Sequence, residues 1–436
     1  MALKLFFFLS LALLLLTSNA FDLCASGSDG DLSVIPIYGK CSPFTAPKSE
    51  SWMNTVIDMA SKDPARIRYL SSLTAQKTVA APIASGQQVL NVGNYVVRVQ
   101  LGTPGQTMYM VLDTSNDAAW APCSGCIGCS STTTFSAQNS STFATLDCSK
   151  PECTQARGLS CPTTGNVDCL FNQTYGGDST FSATLVQDSL HLGPNVIPNF
   201  SFGCISSASG SSIPPQGLMG LGRGPLSLIS QSGSLYSGLF SYCLPSFKSY
   251  YFSGSLKLGP VGQPKAIRTT PLLHNPHRPS LYYVNLTGIS VGRVLVPISP
   301  ELLAFDPNTG AGTIIDSGTV ITRFVPAIYT AVRDEFRKQV GGSFSPLGAF
   351  DTCFATNNEV SAPAITLHLS GLDLKLPMEN SLIHSSAGSL ACLAMAAAPN
   401  NVNSVVNVIA NLQQQNHRIL FDINNSKLGI ARELCN

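Results

Sequence analysis

Two short stretches carry carboxylates in settings suited to acid–base work: "MVLDTSNDAAW", residues 110–120, and "GTIIDSGTVITRF", residues 312–324. In each, an apolar pair leads into an aspartate, Asp113 or Asp316. Two carboxylates close together in a partly buried cleft cannot both ionise easily, because like charges repel in low dielectric; one keeps its proton while the other ionises. Such a pair can hold a water, take a proton from it and give one to a leaving amine, with ionisations that belong to the pair. Peptide hydrolysis by this route needs no metal, no cofactor and no covalent intermediate. The neighbours are of types that hold a carboxylate: a hydroxyl or amide donates to it, and glycine lets its backbone N–H approach closely. Ser317, Gly318 and Thr319 supply these groups in the second stretch. In the first, Thr114 supplies a hydroxyl, Ser115 keeps the N–H but adds a Cβ, and Asn116 offers an amide in place of a hydroxyl. Trp120 is expected to pack beneath the cleft, and Asp117 to brace a loop.

The surrounding pattern says how two such loops could meet. From Asn94 the chain reads "NYVVRVQLGTPGQTMYMVLDTS", two β-rich runs flanking a Gly-Thr-Pro-Gly turn, which predicts a hairpin whose second strand ends at Asp113. A coarse repeat follows. Val111-Leu112-Asp113 and Ile314-Ile315-Asp316 are each followed by an apolar pair and a small residue, Leu218-Met219-Gly220 and Val408-Ile409-Ala410. One carboxylate loop and one small-residue strand per half predict two similar lobes sharing a cleft. Gly, Pro, Ser and Thr are plentiful and charged residues make up only 11% of the 436 residues, which favours short strands and turns. A Pro- and Gly-rich stretch at 259–281, containing His274 and His277 as surface-turn residues, marks the boundary between lobes. "PAIYTAVRDEFRKQV", residues 326–340, is an amphipathic structural helix that starts with proline and stops before Gly341-Gly342.

The N-terminus has one lysine, an apolar run and then Ser18-Asn19-Ala20, the pattern of a secretory signal peptide too short for a membrane span. Residues 21–85 are a polar piece with a helix-compatible stretch, "SWMNTVIDMASKDPARIRYLSSL", in which Met53, Val56, Ile57, Met59 and Ala60 form one face. It ends in a turn-rich, cleavable linker, and we read it as an inhibitory prosegment; a retained extension is the alternative. Of 14 cysteines, twelve remain without Cys24 and Cys41, an even number for six disulfides in a secreted chain. Asn139, Asn172, Asn199, Asn285 and Asn424 are N-glycosylation acceptors. The net charge is +1, and the part from residue 86 onward is formally neutral, so there is no electrostatic footprint for nucleic acid or an acidic membrane.

The motifs "YVVRVQLGTPGQ", "VLDTSNDAAW", "CSGCIGC", "FGC" at 202–204, "GLMGLGRGPLSLISQ", "YYVNLTGISVG", "IIDSGTVITRF" and "FDINNSKLGIA" together resemble the pepsin-like aspartic peptidases. More narrowly, they resemble the plant nepenthesin- and nucellin-like branch, and within it an atypical extracellular group with a DTSN first motif. The resemblance covers residues 94–435. It implies a mostly β, bilobal fold with two β-rich lobes around a central cleft, Asp113 and Asp316 as the catalytic pair, and no cofactor or metal. "QTYGGDST", residues 173–180, becomes the flap, with Tyr175 and Thr319 as substrate contacts; Gly177 and Asp178 are swapped relative to the family, and Ala410 stands where it has glycine. The implied layout is a signal peptide (1–20), a prosegment (21–85), an N-terminal lobe (86–270) with a Cys-rich insert (123–169), and a C-terminal lobe (271–436). The Cys-x-x-Cys spacing of "CSGCIGC" could serve zinc, but a secreted context favours disulfides. Seven cysteines lie in the insert, so one must pair outside it, with Cys204, Cys243 or Cys435, and Cys353 with Cys392 is expected as a local bridge. The implied protein is a monomeric secreted endopeptidase of the apoplast or cell wall, acting on protein or peptide substrates at acidic pH, with a defence role possible for its group. The alternative is a catalytically silent binding protein, like the xylanase inhibitors built on the same fold.

Overall fold

The structure, a computed structural model, describes residues 32–36, 52–74, 94–131, 133–161, 167–177, 179–193, 195–247, 254–356, 362–385, 388–399 and 404–435. The signal peptide, Cys24, Cys41, the linker after residue 74 and Asp178 lie outside the described residues.

The predicted hairpin is present: strand Tyr95–Leu101 pairs antiparallel with Gln106–Asp113, with Val96 opposite Val111. Tyr95, Val97, Val99 and Leu101 enter one core cluster; on the opposite face Val96 is buried in a second cluster and Arg98 faces solvent. The repeat also appears in space. Val111, Leu112 and Asp113 run parallel to Leu218, Met219 and Gly220, and Gly312–Ile315 runs parallel to Val406–Ile409. Each pair is closed by one backbone bond at its carboxylate: Leu221 N–H donates to the Asp113 carbonyl (2.9 Å), and Asp316 N–H to the Ile409 carbonyl (3.0 Å). Gly220 is the only residue type that fits its position, since a Cβ there would lie 2.0 Å from the Asp117 carbonyl oxygen. Ala410, its counterpart by pattern, is buried with its methyl accommodated.

The lobes join through a continuous sheet. Strands Tyr95–Leu101, Leu32–Pro36, Gly254–Leu258, Leu239–Cys243, His417–Asp422, Lys427–Arg432 and Arg268–Leu273 lie side by side in that order. The strand Arg268–Leu273 spans the 270/271 division, and its pairing partners lie in the C-terminal half. Two further four-stranded sheets complete that half. Helix Pro326–Val340 buries Ile328, Tyr329, Val332 and Phe336 on one face, with Pro326 in its first turn and Gly341 at its C-cap.

All twelve described cysteines are paired. The insert holds Cys126–Cys129, Cys148–Cys161 and Cys153–Cys169, and its odd member reaches out as Cys123–Cys204. Cys243 joins Cys435, and Cys353 joins Cys392 across two paired strands. Among the described residues the one cluster with metal-ligand spacing, Cys148, Cys153 and Cys161, has its sulfurs committed to disulfides, as do both cysteines of Cys126-Ile127-Gly128-Cys129. No helix among the described residues is long and apolar enough to cross a membrane.

Candidate active site

Asp113 and Asp316 sit where two strands end, both fully buried, and their loops are tied to each other. Ser317 N–H donates to Thr114 Oγ1 (3.0 Å), Thr114 N–H donates to Ser317 Oγ (3.2 Å), and Ser317 Oγ donates to the Leu112 carbonyl (2.9 Å). Three bonds thus cross the pseudo-symmetric junction and set the spacing of the carboxylates.

Each carboxylate has its own donors. Asp113 Oδ1 accepts from the Ser115 N–H and the Ser115 hydroxyl, both at 2.8 Å, and its Oδ2 accepts from the Asn116 side-chain amide at 2.8 Å. Asp316 Oδ1 accepts from the Gly318 N–H (3.0 Å), and Oδ2 from the Thr319 hydroxyl (2.7 Å). The unusual first motif therefore keeps its donors: the Ser115 side chain adds one, and the Asn116 amide stands in for a hydroxyl. Thr319, expected as a substrate contact, is fully buried with residues 52–74 docked, and its hydroxyl donates to Asp316. A Cβ at Gly318 would lie 2.4 Å from Arg66 Nη2 and 2.9 Å from Asp113 Oδ2, so a side chain there would force its neighbours to shift. Burial pushes the Asp316 pKa up; the nearby Arg66 guanidinium opposes this and the Asp113 carboxylate adds to it.

The flap hairpin pairs Leu170–Tyr175 with Ser179–Leu192, and Gly176 and Gly177 turn it with φ of 61° and 93°, values that favour glycine. Tyr175 is buried edge-on against Trp120, with ring centroids 5.4 Å apart. Asp117 accepts from the Gly224 N–H (2.7 Å) and from the Ser280 hydroxyl, so it is a loop brace. Of the glycosylation acceptors, Asn139, Asn172, Asn199 and Asn424 are exposed; Asn285 is half-buried and donates through Nδ2 to Ser370 Oγ (2.7 Å).

One side chain from outside the expected set enters this site. Helices Trp52–Ala60 and Asp63–Thr74 lie against the C-terminal half, with Met53, Val56, Met59 and Ala60 packed on Val320, Ile321 and Phe350, and Ile67 and Leu70 packed on Leu281, Tyr283 and Val408. Between these contacts Arg66 Nη2 donates to Asp113 Oδ1 (2.7 Å) and to Asp316 Oδ2 (3.3 Å), and it also meets the Ser115 hydroxyl. Its guanidinium lies 5.7 Å from the Tyr175 ring centroid. One turn earlier, Asp63 accepts from the Val320 and Ile321 N–H groups, each at 3.0 Å, and lies 3.7 Å from Arg323. Burial raises the Asp63 pKa to about 6, against the opposing pull of Arg323.

Similarity to other proteins agrees with this geometry. Residues 95–260 match the family described as "Xylanase inhibitor N-terminal", and residues 281–432 the one described as "Xylanase inhibitor C-terminal". Aspartyl protease AED3 of Arabidopsis thaliana is 65% identical over 447 residues, spanning 100% of this chain and 99% of its own length. The chain belongs to the plant pepsin-like aspartic peptidases. Within that family the branch is nepenthesin-like: aspartic proteinase nepenthesin-1 of Nepenthes gracilis is 38% identical over 360 residues, 79% of this chain and 78% of the relative. The solved structure of edgp superposes with a TM-score of 0.64 over 79% of this chain and 92% of that one; at 21% identity this shows the shared fold alone. In this peptidase, Asp63 and Arg66 carried no signal in the sequence beyond a local concentration of charge, "KDPARIR", in a chain otherwise poor in it.

Proposed function

We propose that this aspartic endopeptidase is secreted as a precursor, that Asp113 and Asp316 are its catalytic pair, and that residues 21–85 hold it closed until they are removed. The observation that carries the reading is the matched bracing of two buried carboxylates by donors from their own loops, with three bonds tying the loops together. Once Arg66 leaves, the pair shares one proton. A water held between the carboxylates loses a proton to the ionised one as its oxygen attacks the peptide carbonyl carbon. The protonated partner meanwhile donates to the carbonyl oxygen. Collapse of the tetrahedral intermediate breaks the C–N bond: the proton taken from water goes to the leaving amine, and one hydroxyl of the gem-diol returns its proton to the carboxylate that had donated one, restoring the singly protonated pair. Tyr175, at the turn of the flap, covers the substrate and excludes solvent.

The apolar N-terminal run and the six disulfides support secretion into an extracellular compartment such as the apoplast or cell wall. We further propose a monomer as the working unit, with a role in extracellular proteolysis or defence. A catalytically silent binding protein is the rival reading, because the matched families are described as xylanase inhibitors. A protein that bound only through its surface would have no need for five donors aimed at two buried carboxylates. The test is incubation of the mature protein with a denatured protein substrate between about pH 3 and 6, with and without a statine-type inhibitor. Inhibitor-sensitive cleavage after prosegment removal is expected; inert protein at every pH would refute the proposal.

A further inference from the structure

A recess opens beside the first carboxylate loop. Ser115, Asn116 and Asp117 form part of its wall, and Gln155, Arg157, Phe171 and Gln173 form much of the rest; no residue of 52–74 lines it. Asn116 therefore faces two ways, toward Asp113 through its amide and toward the recess.

The recess is built rigidly, and the Cys-rich insert supplies one wall. Helix Pro151–Thr154 is tied down by Cys153–Cys169, and the chain after it runs along the flap strand. Asn172 N–H donates to the Gly158 carbonyl (3.0 Å), and Ser160 N–H to the Leu170 carbonyl (2.8 Å). Gly158 allows this approach, since a Cβ there would lie 1.9 Å from the Asn172 oxygen. These contacts hold Gln155 and Arg157 on the insert in register with Gln173 on the flap strand.

The polar groups of the walls are available. Among the described residues the Gln155 and Gln173 amides make no hydrogen bond to the protein, and Arg157 makes one, from Nη2 to Ser280 Oγ (3.0 Å), with no carboxylate within ion-pair distance. The recess wall carries one cation, Arg157, and one carboxylate, Asp117. Asp117 is the nearby carboxylate, and it is occupied by Gly224 N–H and the Ser280 hydroxyl. Arg278 is close enough that the Arg157 charge, after burial, helps lower its pKa.

We infer that this recess is a substrate subsite selecting an acidic side chain, Glu or Asp, at one position near the scissile bond, with Arg157 as the anion partner and Gln155 and Gln173 as amide donors. The inference rests on the peptidase reading and adds to it a substrate class and a role for the insert. A guanidinium with free donors pairs a carboxylate more strongly than an amide does, and two neutral amides help orient it.

The test uses mature enzyme and a peptide series in which each position flanking the scissile bond is in turn Glu, Gln, Leu or Lys, with kcat/KM measured for each. At one position Glu should exceed Gln by about fivefold near pH 5, the upper range of a solvent-accessible ion pair. The ratio should approach one near pH 3, below the usual glutamate pKa of about 4.3. Arg157→Gln should bring the pH 5 ratio to about one, and Arg157→Lys should restore part of it. A Glu/Gln ratio near one at every position in the wild type, or a ratio unchanged by Arg157→Gln, overturns the inference while the peptides are still cut. If no peptide and no denatured protein is cut, the peptidase reading falls, and this inference with it.

Discussion

Replacing Arg66 with alanine should open the precursor's cleft. The Arg66 side chain is 6% exposed and the two carboxylates it meets are 0% exposed, so the ion pairs form in a dry setting. Removing one member of a buried ion pair is strongly destabilising, by about 3–5 kcal/mol, because the other member is left unpaired. Here the stranded carboxylates can share a proton, which places the expected loss of prosegment docking at the lower end, about 3 kcal/mol, or roughly 150-fold in the open fraction. A statine-type inhibitor binds only the open cleft, so its apparent Kd for the precursor scales inversely with that fraction. Titrated into uncleaved precursor, the inhibitor should bind Arg66→Ala roughly 150-fold more tightly than wild type, with Arg66→Lys in between. If Arg66→Ala is folded by circular dichroism and binds no more tightly than wild type, Arg66 is not what keeps the cleft closed.

Other outcomes follow from single contacts. Gly220→Ala would place a methyl 2.0 Å from the Asp117 carbonyl and should lower the denaturation midpoint by an amount worth about 3 kcal/mol, whereas Ala410→Gly should cost only about 0.5–1 kcal/mol. Ser115→Gly removes one hydroxyl donor to Asp113 but keeps the N–H and the Asn116 amide, so kcat should fall by no more than about fivefold; a large gain would mean that the serine limits turnover. Asp63 has a docked pKa of about 6, above its free value of about 3.9, so docking takes up a proton. Its contribution to docking is therefore full below about pH 3.9 and is lost as pH rises through about 6. Protection of residues 52–74 from hydrogen exchange should weaken over that window in wild type and show a shallower pH dependence in Asp63→Asn.

The parts of this architecture that were legible in the sequence are those specified by local pattern. A β-rich run ending in Asp, repeated once with a small-residue strand after each copy, was enough to anticipate two matched loops, and strand register then brings Asp113 and Asp316 together. The apolar face of "SWMNTVIDMA" likewise showed in its spacing, and Met53, Val56, Met59 and Ala60 are buried. What could not be read are contacts whose partners are far apart and follow no period. Arg66 is 47 residues from Asp113 and 250 from Asp316, and only the packing of its helix brings it to both. Asp63 resembles a helix-start residue before proline, yet its carboxylate is used on the backbone of Val320 and Ile321. Strand Leu32–Pro36 falls within a stretch read as a polar prosegment, and its pairing with Tyr95–Leu101 and Gly254–Leu258 has no local signature. The role of Ser115 needed coordinates as well, since its hydroxyl turns out to be a donor to Asp113 rather than an obstruction.

If Asp113 and Asp316 perform the hydrolysis together, loss of either carboxylate should stop it. Mature wild type, Asp113→Asn and Asp316→Asn should be compared on one denatured protein substrate at acidic pH, each variant being nearly isosteric and retaining its loop. The account predicts that the wild type cuts and that either substitution lowers kcat by at least about a hundredfold, the range expected when a general acid or base is lost. A variant that cuts at the wild-type rate would contradict it.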